Sequence, residues 1–244
     1  MLKEKSLRKI LVSTACLFAL ALLYLIPKNE DLTLNVKQEL EYVNNNVITN
    51  EIFLLNNHGM LAKTKVVVSG KSTLKLVKEI IGILTVGGIG ENKIPSGFKA
   101  ILPDDTKLIS TNFENNLLKV NFSKELLNIN KEYEEKMIEA LVYSLTSIEG
   151  VNNIIIYVDG SVLSKLPQTG KILPSTLNRD FGINKEYDLQ SLNDINSVTI
   201  YYVDSYNDEY YYVPVTKYMN DNRDKIRIVI DELTSSPIYN TNLM

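Results

Sequence analysis

The chain repeats part of itself, and that repeat bounds what it can fold into. Residues Ile52-Phe53-Leu54-Leu55 open a strand, a turn follows, Lys65-Val66-Val67-Val68 forms a second strand, and an amphipathic helix ends at Ile83-Leu84-Thr85. The same order recurs as Ile200-Tyr201-Tyr202-Val203, a turn, Tyr211-Tyr212-Val213-Pro214-Val215, and a helix ending Ile230-Asp231-Glu232-Leu233-Thr234. The offset is 148 residues at the first strand (52 to 200) and 149 at the helix end (84 to 233), so one inserted residue separates the copies. The first copy goes on to a hairpin, a second helix and a closing strand, whereas the second reaches Met244 before any of these. A complete unit is expected at 51–180, a connection at 181–196 and a partial second unit at 197–244.

Local signals fill in the first unit. Asn56-Asn57-His58-Gly59 is a turn between strands, because Asn and Gly tolerate positive φ. Ser72 stands as N-cap of a helix whose buried face is Leu74, Val77, Ile80, Ile81 and Leu84. Lys107 to Phe113 alternates, Glu114-Asn115-Asn116 turns, and Leu118, Val120 and Phe122 line one face of the return strand. A second helix is predicted over Glu132–Ile148, with Tyr133, Met137, Ala140, Leu141, Ser144, Leu145 and Ile148 as its buried stripe. Val151–Val158, with Ile154-Ile155-Ile156-Tyr157, suits a central strand. Ser161 to Asn196 reads as a long connection with little periodicity.

The N-terminus has its own character. Lys3, Lys5, Arg8 and Lys9 against Glu4 give residues 1–9 a charge of +3, so in a chain of net −3 the remainder is −6. Ile10 to Ile26 then carries no charge. The pattern predicts a cytoplasmic basic tip at 1–9, an uncleaved transmembrane anchor at 10–26 and a polar tether at 27–50, with the body outside. The alternative is lipidation at Cys16, since Ser13-Thr14-Ala15-Cys16 resembles a lipoprotein box. Against it, Ser13 replaces the usual Leu and the longer apolar stretch follows the cysteine. Cys16 is the only cysteine, so no disulfide is expected in the body.

No residue is nominated as catalytic, and no metal or cofactor is expected. His58, the only histidine, falls in a strand turn and reads as an exposed turn residue. Asp104-Asp105 reads as a solvated strand entry, and Gly87, Gly88 and Gly90 lack the phosphate-loop pattern and follow a helix. A mildly acidic body argues against nucleic acid as a partner. The density of Tyr206, Tyr210, Tyr211 and Tyr212 has two readings: aromatic packing across strands, or a protein-binding face at Tyr210, Tyr211 and Tyr212.

A wider pattern carries a resemblance. Leu102-Pro103-Asp104-Asp105-Thr106-Lys107-Leu108, Leu118-Lys119-Val120-Asn121-Phe122-Ser123-Lys124-Glu125, Leu141-Val142-Tyr143-Ser144-Leu145-Thr146, Gly150-Val151 and Val158-Asp159-Gly160 together resemble the GerM domain of spore-forming bacteria, with Leu166, Gly170, Leu177 and Arg179 similar to its tail. The resemblance implies an α+β fold, a two-layer mixed sheet with helices on one face, like the ring-building modules of secretion systems. It implies a non-enzymatic extracytoplasmic protein of sporulation or germination, with partners among the envelope and channel proteins between mother cell and forespore, and self-association into rings. A membrane-anchored sensor or signalling accessory is the rival function, and a wall hydrolase comes third.

One tension remains. Ile226, Val229, Ile230 and Leu233 form a stripe on the last helix, with no hairpin or closing strand after it. Either the second unit borrows the first unit's sheet, or the natural protein continues for about 60 residues; continuation is the expectation, because repeats are usually whole units.

Overall fold

The structure is a computed structural model that describes residues 4–25 and 48–235. The chain divides into two units, Met1–Asn46 and Val47–Met244. In the first, α1 spans Glu4–Leu25. Its opening turns hold the charged residues, so its uncharged part is residues 10–25. That is about 24 Å of helix, short of a hydrocarbon layer of about 30 Å. Among the described residues no helix is long and apolar enough to cross a membrane. The span expected at 10–26 is therefore not shown. Cys16 lies exposed on this helix. Ile26 and tether residues 27–47 lie outside the described residues, while Thr49 and Asn50, expected in the tether, already belong to a strand.

The second unit contains β1 (Thr49–Asn56), β2 (Leu61–Val67), α2 (Thr73–Leu84), β3 (Phe98–Lys99), β4 (Leu108–Glu114), β5 (Leu117–Phe122), α3 (Glu134–Leu145), β6 (Asn153–Val158), β7 (Ser161–Val162), β8 (Glu186–Asp188), β9 (Asn196–Tyr206), β10 (Glu209–Met219) and α4 (Lys225–Ser235). The α+β class is as expected, but the strands divide between two mixed sheets. One runs β3-β1-β2-β10-β8, with β9 also on β10; the other runs β4-β5-β6-β7.

The first sheet is where the repeat becomes structure. Hairpin β1–β2 belongs to the first copy and hairpin β9–β10 to the second, both antiparallel. Their inner strands meet antiparallel at Lys63 and Tyr212, residues 149 apart, which is the repeat offset itself. The second copy thus joins the first copy's sheet. Residues 236–244 lie outside the described residues.

The second sheet follows the pattern closely. Asn115 and Asn116 both have positive φ (50° and 63°), as a two-residue hairpin turn requires. Leu118, Val120 and Phe122 are fully buried. β5 and β6 are parallel, so the chain must cross over between them, and α3 lies on that crossover.

Helix burial departs from expectation in three places. Ser72 is the N-cap residue of α2, but its side chain makes no capping bond. Leu74 is 43% exposed, and the face turned inward is Val77, Ile80, Ile81, Ile83 and Leu84. α3 is shorter than predicted and has no solvated face: Ile138, Glu139, Val142 and Tyr143 are buried along with the predicted stripe. It shares one core with β1, β2, α2, β5 and β6. Phe53 donates its backbone N–H to Ser144 Oγ at 2.9 Å, and its ring meets that of Tyr143 edge-on at 5.3 Å. Two helical turns of polar residues in such a setting need partners, and these come from the segment after β7.

That segment is not an idle connection. Leu166, Leu173, Leu177 and Ile183 all enter the main core. On α4 the buried residue is Ile228, with Val229 and Leu233 packed against the second copy's core, while Ile226 and Ile230 are 70% and 55% exposed.

Candidate functional site

One asparagine bridges the two copies. Asn184 sits at φ +46°, in the left-handed region that Asn tolerates better than most residues. Its Oδ1 accepts from Leu61 N (2.9 Å), and its Nδ2 donates to Leu61 O and Pro214 O, both at 2.7 Å. Leu61 belongs to β2 and Pro214 to β10, so one side chain spans the seam. Its own backbone N–H donates to Glu139 Oε2 at 2.8 Å. Next to it, Ile183 N donates to Thr216 Oγ1 at 3.0 Å and Ile183 O accepts from Thr216 N at 2.8 Å.

Charges gather behind this seam around a cleft of about 320 Å³. Glu139 is 2% exposed. Burial pushes its carboxyl up to about 7, against the opposing pull of the Asn184 N–H and of Lys185. Lys185 Nζ lies 3.8 Å from Glu139 and 2.7 Å from Glu135, and sits 3.3 Å over the Phe181 ring. Burial lowers the Lys185 ammonium, only partly countered by those carboxylates. Glu135 is also desolvated, but Lys171 and Lys185 outweigh this and hold its carboxyl below the ordinary value. Glu134, fully buried, accepts the backbone N–H groups of Gln168 and Thr169. A carboxyl near 7 in a cleft is what a proton-transfer site would show. Here it accepts from the backbone N–H of the residue whose side chain bridges the two copies, so a protonatable carboxyl lies at the joint between them.

A second contact lies at the hairpin tips. Asp204 Oδ2 accepts from the Tyr211 hydroxyl at 2.7 Å and from Asn56 Nδ2 at 3.3 Å, and lies 3.1 Å from His58 Nδ1. The first sheet curls over this face: Phe98 meets Tyr211 edge-on at 4.9 Å, and Gly97 lies under the Tyr206 ring.

The residues singled out from sequence are distributed as follows. His58 is an exposed turn residue, and it also faces Asp204. Asp104 and Asp105 are exposed turn residues. The tyrosine trio divides by strand alternation: Tyr210 and Tyr212 are 80% and 53% exposed, whereas Tyr211 is buried in the second copy's core. Tyr211 is thus removed from the expected binding face. Among the described residues no group of His, Cys, Asp and Glu is placed to hold a metal ion. Asn184, Glu139 and Lys185 carry no motif. The one sequence signal for them was two glutamates, Glu135 and Glu139, four apart on a helix with an otherwise apolar stripe.

The comparisons bear on this architecture. Residues 51–164 match the Germane family, described as sporulation and spore germination. The chain carries a Germane domain. It is 30% identical over 195 residues to the spore germination protein GerM of Bacillus subtilis (strain 168), covering 78% of this chain and 52% of that one. It therefore spans about half the length of that curated relative. The solved tandem GerMN domains of the sporulation protein GerM from Bacillus subtilis superpose with a TM-score of 0.70 at 27% identity, covering 76% of this chain and 66% of theirs. The first GerMN domain of the same protein, at 23% identity and a TM-score of 0.51, shares the fold over 55% of this chain. The expected family and the tandem arrangement are thus found together.

Proposed function

We propose that this chain is a non-enzymatic structural protein of spore formation or germination, held at a membrane by its N-terminal segment, whose body docks in a complex between the mother-cell and forespore membranes. The match to the Germane family and the likeness to GerM support the sporulation or germination part of this reading. The docking role rests on one observation: the joined sheet presents tyrosines outward where the hairpins meet. Tyr201, Tyr210 and Tyr212 fall on one face by register, since Tyr212 opposes Val203 and Pro214 opposes Tyr201. Lys63, opposite Tyr212, and Phe53 belong to the same face; Phe53 is covered by α3, whereas Tyr210 and Tyr212 stand uncovered. Exposed tyrosines on a rigid sheet offer large contact area at low entropic cost. The membrane role rests on the basic tip and the uncharged run from Ile10, and on the helix they form.

The test is the Tyr210→Ser/Tyr212→Ser double variant in sporulating cells. It is expected to fold with an unchanged thermal midpoint, to lose spore formation or germination, and to lose the envelope protein that a photo-crosslinker at Tyr212 captures in the parent chain. A stably folded double variant with wild-type sporulation and germination would sink the docking face.

A further inference from the structure

We propose that the groove between α2 and the loop at 86–93 is a second membrane contact, a docking face for an anionic, phosphate-bearing lipid surface. The groove encloses about 550 Å³, and Lys75, Lys78, Lys93 and Ile89 border it. Ile89 is 99% exposed. It is not on a loose loop. A side chain at Gly90 would come within 2.4 Å of Ile83 Cγ1, and one at Gly88 within 2.1 Å of Gly82 O, so the loop is pressed onto the helix and holds Ile89 outward. Leu74, Val67 and Val86, all within 40% to 55% exposure, add apolar surface on the flanking elements.

Charge decides the occupant. Residues 69–93, which build the groove, carry Lys71, Lys75, Lys78 and Lys93 against Glu79 and Glu91, which is +2 in a chain of net −3. Glu79 does not oppose an anion, because Lys93 and the N–H groups of Ser69 and Gly70 already occupy it. Among the described residues Lys71, Lys75 and Lys78 form no ion pair. The stretch contains no Arg, Tyr or Trp. Protein interfaces are enriched in those three and depleted in Lys. Lysines around a protruding aliphatic side chain instead suit a headgroup layer, with stems along apolar surface and ammonium groups at phosphate. One weak attachment binds a membrane reversibly, and two bind stably. This face is distinct from the tyrosine face and from α1.

The chain has no tryptophan, which makes the test direct. The full chain bearing Ile89→Trp is mixed with phosphatidylglycerol-containing vesicles and with phosphatidylcholine vesicles, each with and without brominated acyl chains. Expected on anionic vesicles are a blue-shifted emission and quenching by bromine, both weakened by added salt. Each lysine near such a surface is worth about fivefold in partition. Adding Lys75→Glu/Lys78→Glu should therefore cut the quenched fraction at least tenfold, while α1 still retains the chain on the vesicles. Water-like, unquenched emission from vesicle-bound chain overturns the proposal. So does a blue shift that grows with protein concentration without vesicles, which would make a second copy the occupant. The salt dependence of Ile89→Trp alone stands as an independent reading if the charge-reversed variant does not fold.

Discussion

Asn56 and Asp204 occupy the same position in the two copies, 148 residues apart, and are hydrogen bonded to each other at 3.3 Å. Together with Lys63 opposite Tyr212, this contact relates the hairpins by near-symmetry: each copy supplies the surface that closes the other. The polar groups there are shared, since Asp204 serves Asn56, His58 and Tyr211 at once. The copies therefore stand as one folding unit.

Asp204→Ala should leave the Tyr211 hydroxyl without its 2.7 Å acceptor inside a hydrophobic cluster. Losing a hydrogen bond to a charged group costs about 1.5–3 kcal/mol. Urea unfolding is expected to show one transition with a lower midpoint and an unchanged slope. Two separated transitions in the parent chain would show that the copies unfold independently.

Asn184 should be less forgiving. Asn184→Ala removes three hydrogen bonds across the seam and leaves a β-carbon at φ +46°. The sum is about 3–4 kcal/mol. Asn184→Gly loses the same bonds without the strain, and should recover about 1 kcal/mol of it. Equal stability of the two variants would mean that the backbone at this position is relaxed.

These residues also show where the sequence is legible. Strands and turns with short-range rules could be read directly: Asn115-Asn116 as a tight turn, and Leu118, Val120 and Phe122 as one buried face. The repeat itself was visible as an offset. Its consequence was not, because edge pairing of β2 with β10 depends on two hairpins meeting in space. α3 misled because periodicity reports a contrast between faces, and a helix buried all round has none. Leu74 misled because its place in the stripe lies beyond the edge of the core. The functional seam fell in a stretch without period, where Asn184 acts through one backbone angle and four hydrogen bonds.

Gly97 should tolerate nothing larger. Its φ is +87°, and a β-carbon there would lie 2.7 Å from the Tyr206 ring. Gly97→Ala is expected to destabilise by about 2–3 kcal/mol from combined strain and overpacking. Adding Tyr206→Ala should relieve the overpacking but not the strain. A double-mutant cycle should thus give a favourable coupling, and strict additivity would rule out the close approach of β3 and β9.

Glu139 makes stability depend on pH. Its carboxyl titrates near 4.5 when unfolded and at about 7 in the fold, where burial favours the neutral acid. The folded state therefore binds the proton more tightly. The stabilisation is fully present below about pH 4.5 and is lost as pH rises through about 7, a difference of about 3 kcal/mol. Glu79 and Glu135, held below their ordinary values, act the other way and lose stability as pH falls. The parent's profile mixes these effects, so the difference from Glu139→Gln isolates the one of interest. Gln keeps an oxygen for the Asn184 N–H and mimics the neutral acid. The variant should match the parent near pH 4 and exceed it by several degrees in thermal midpoint at pH 8, with the gap opening between those values. Lys185 keeps Glu135 as partner in the variant, at 2.7 Å, so loss of the Lys185–Glu139 contact at 3.8 Å should cost little. A variant less stable than the parent at pH 8 would show that the charged carboxylate, not the neutral acid, is what the joint requires.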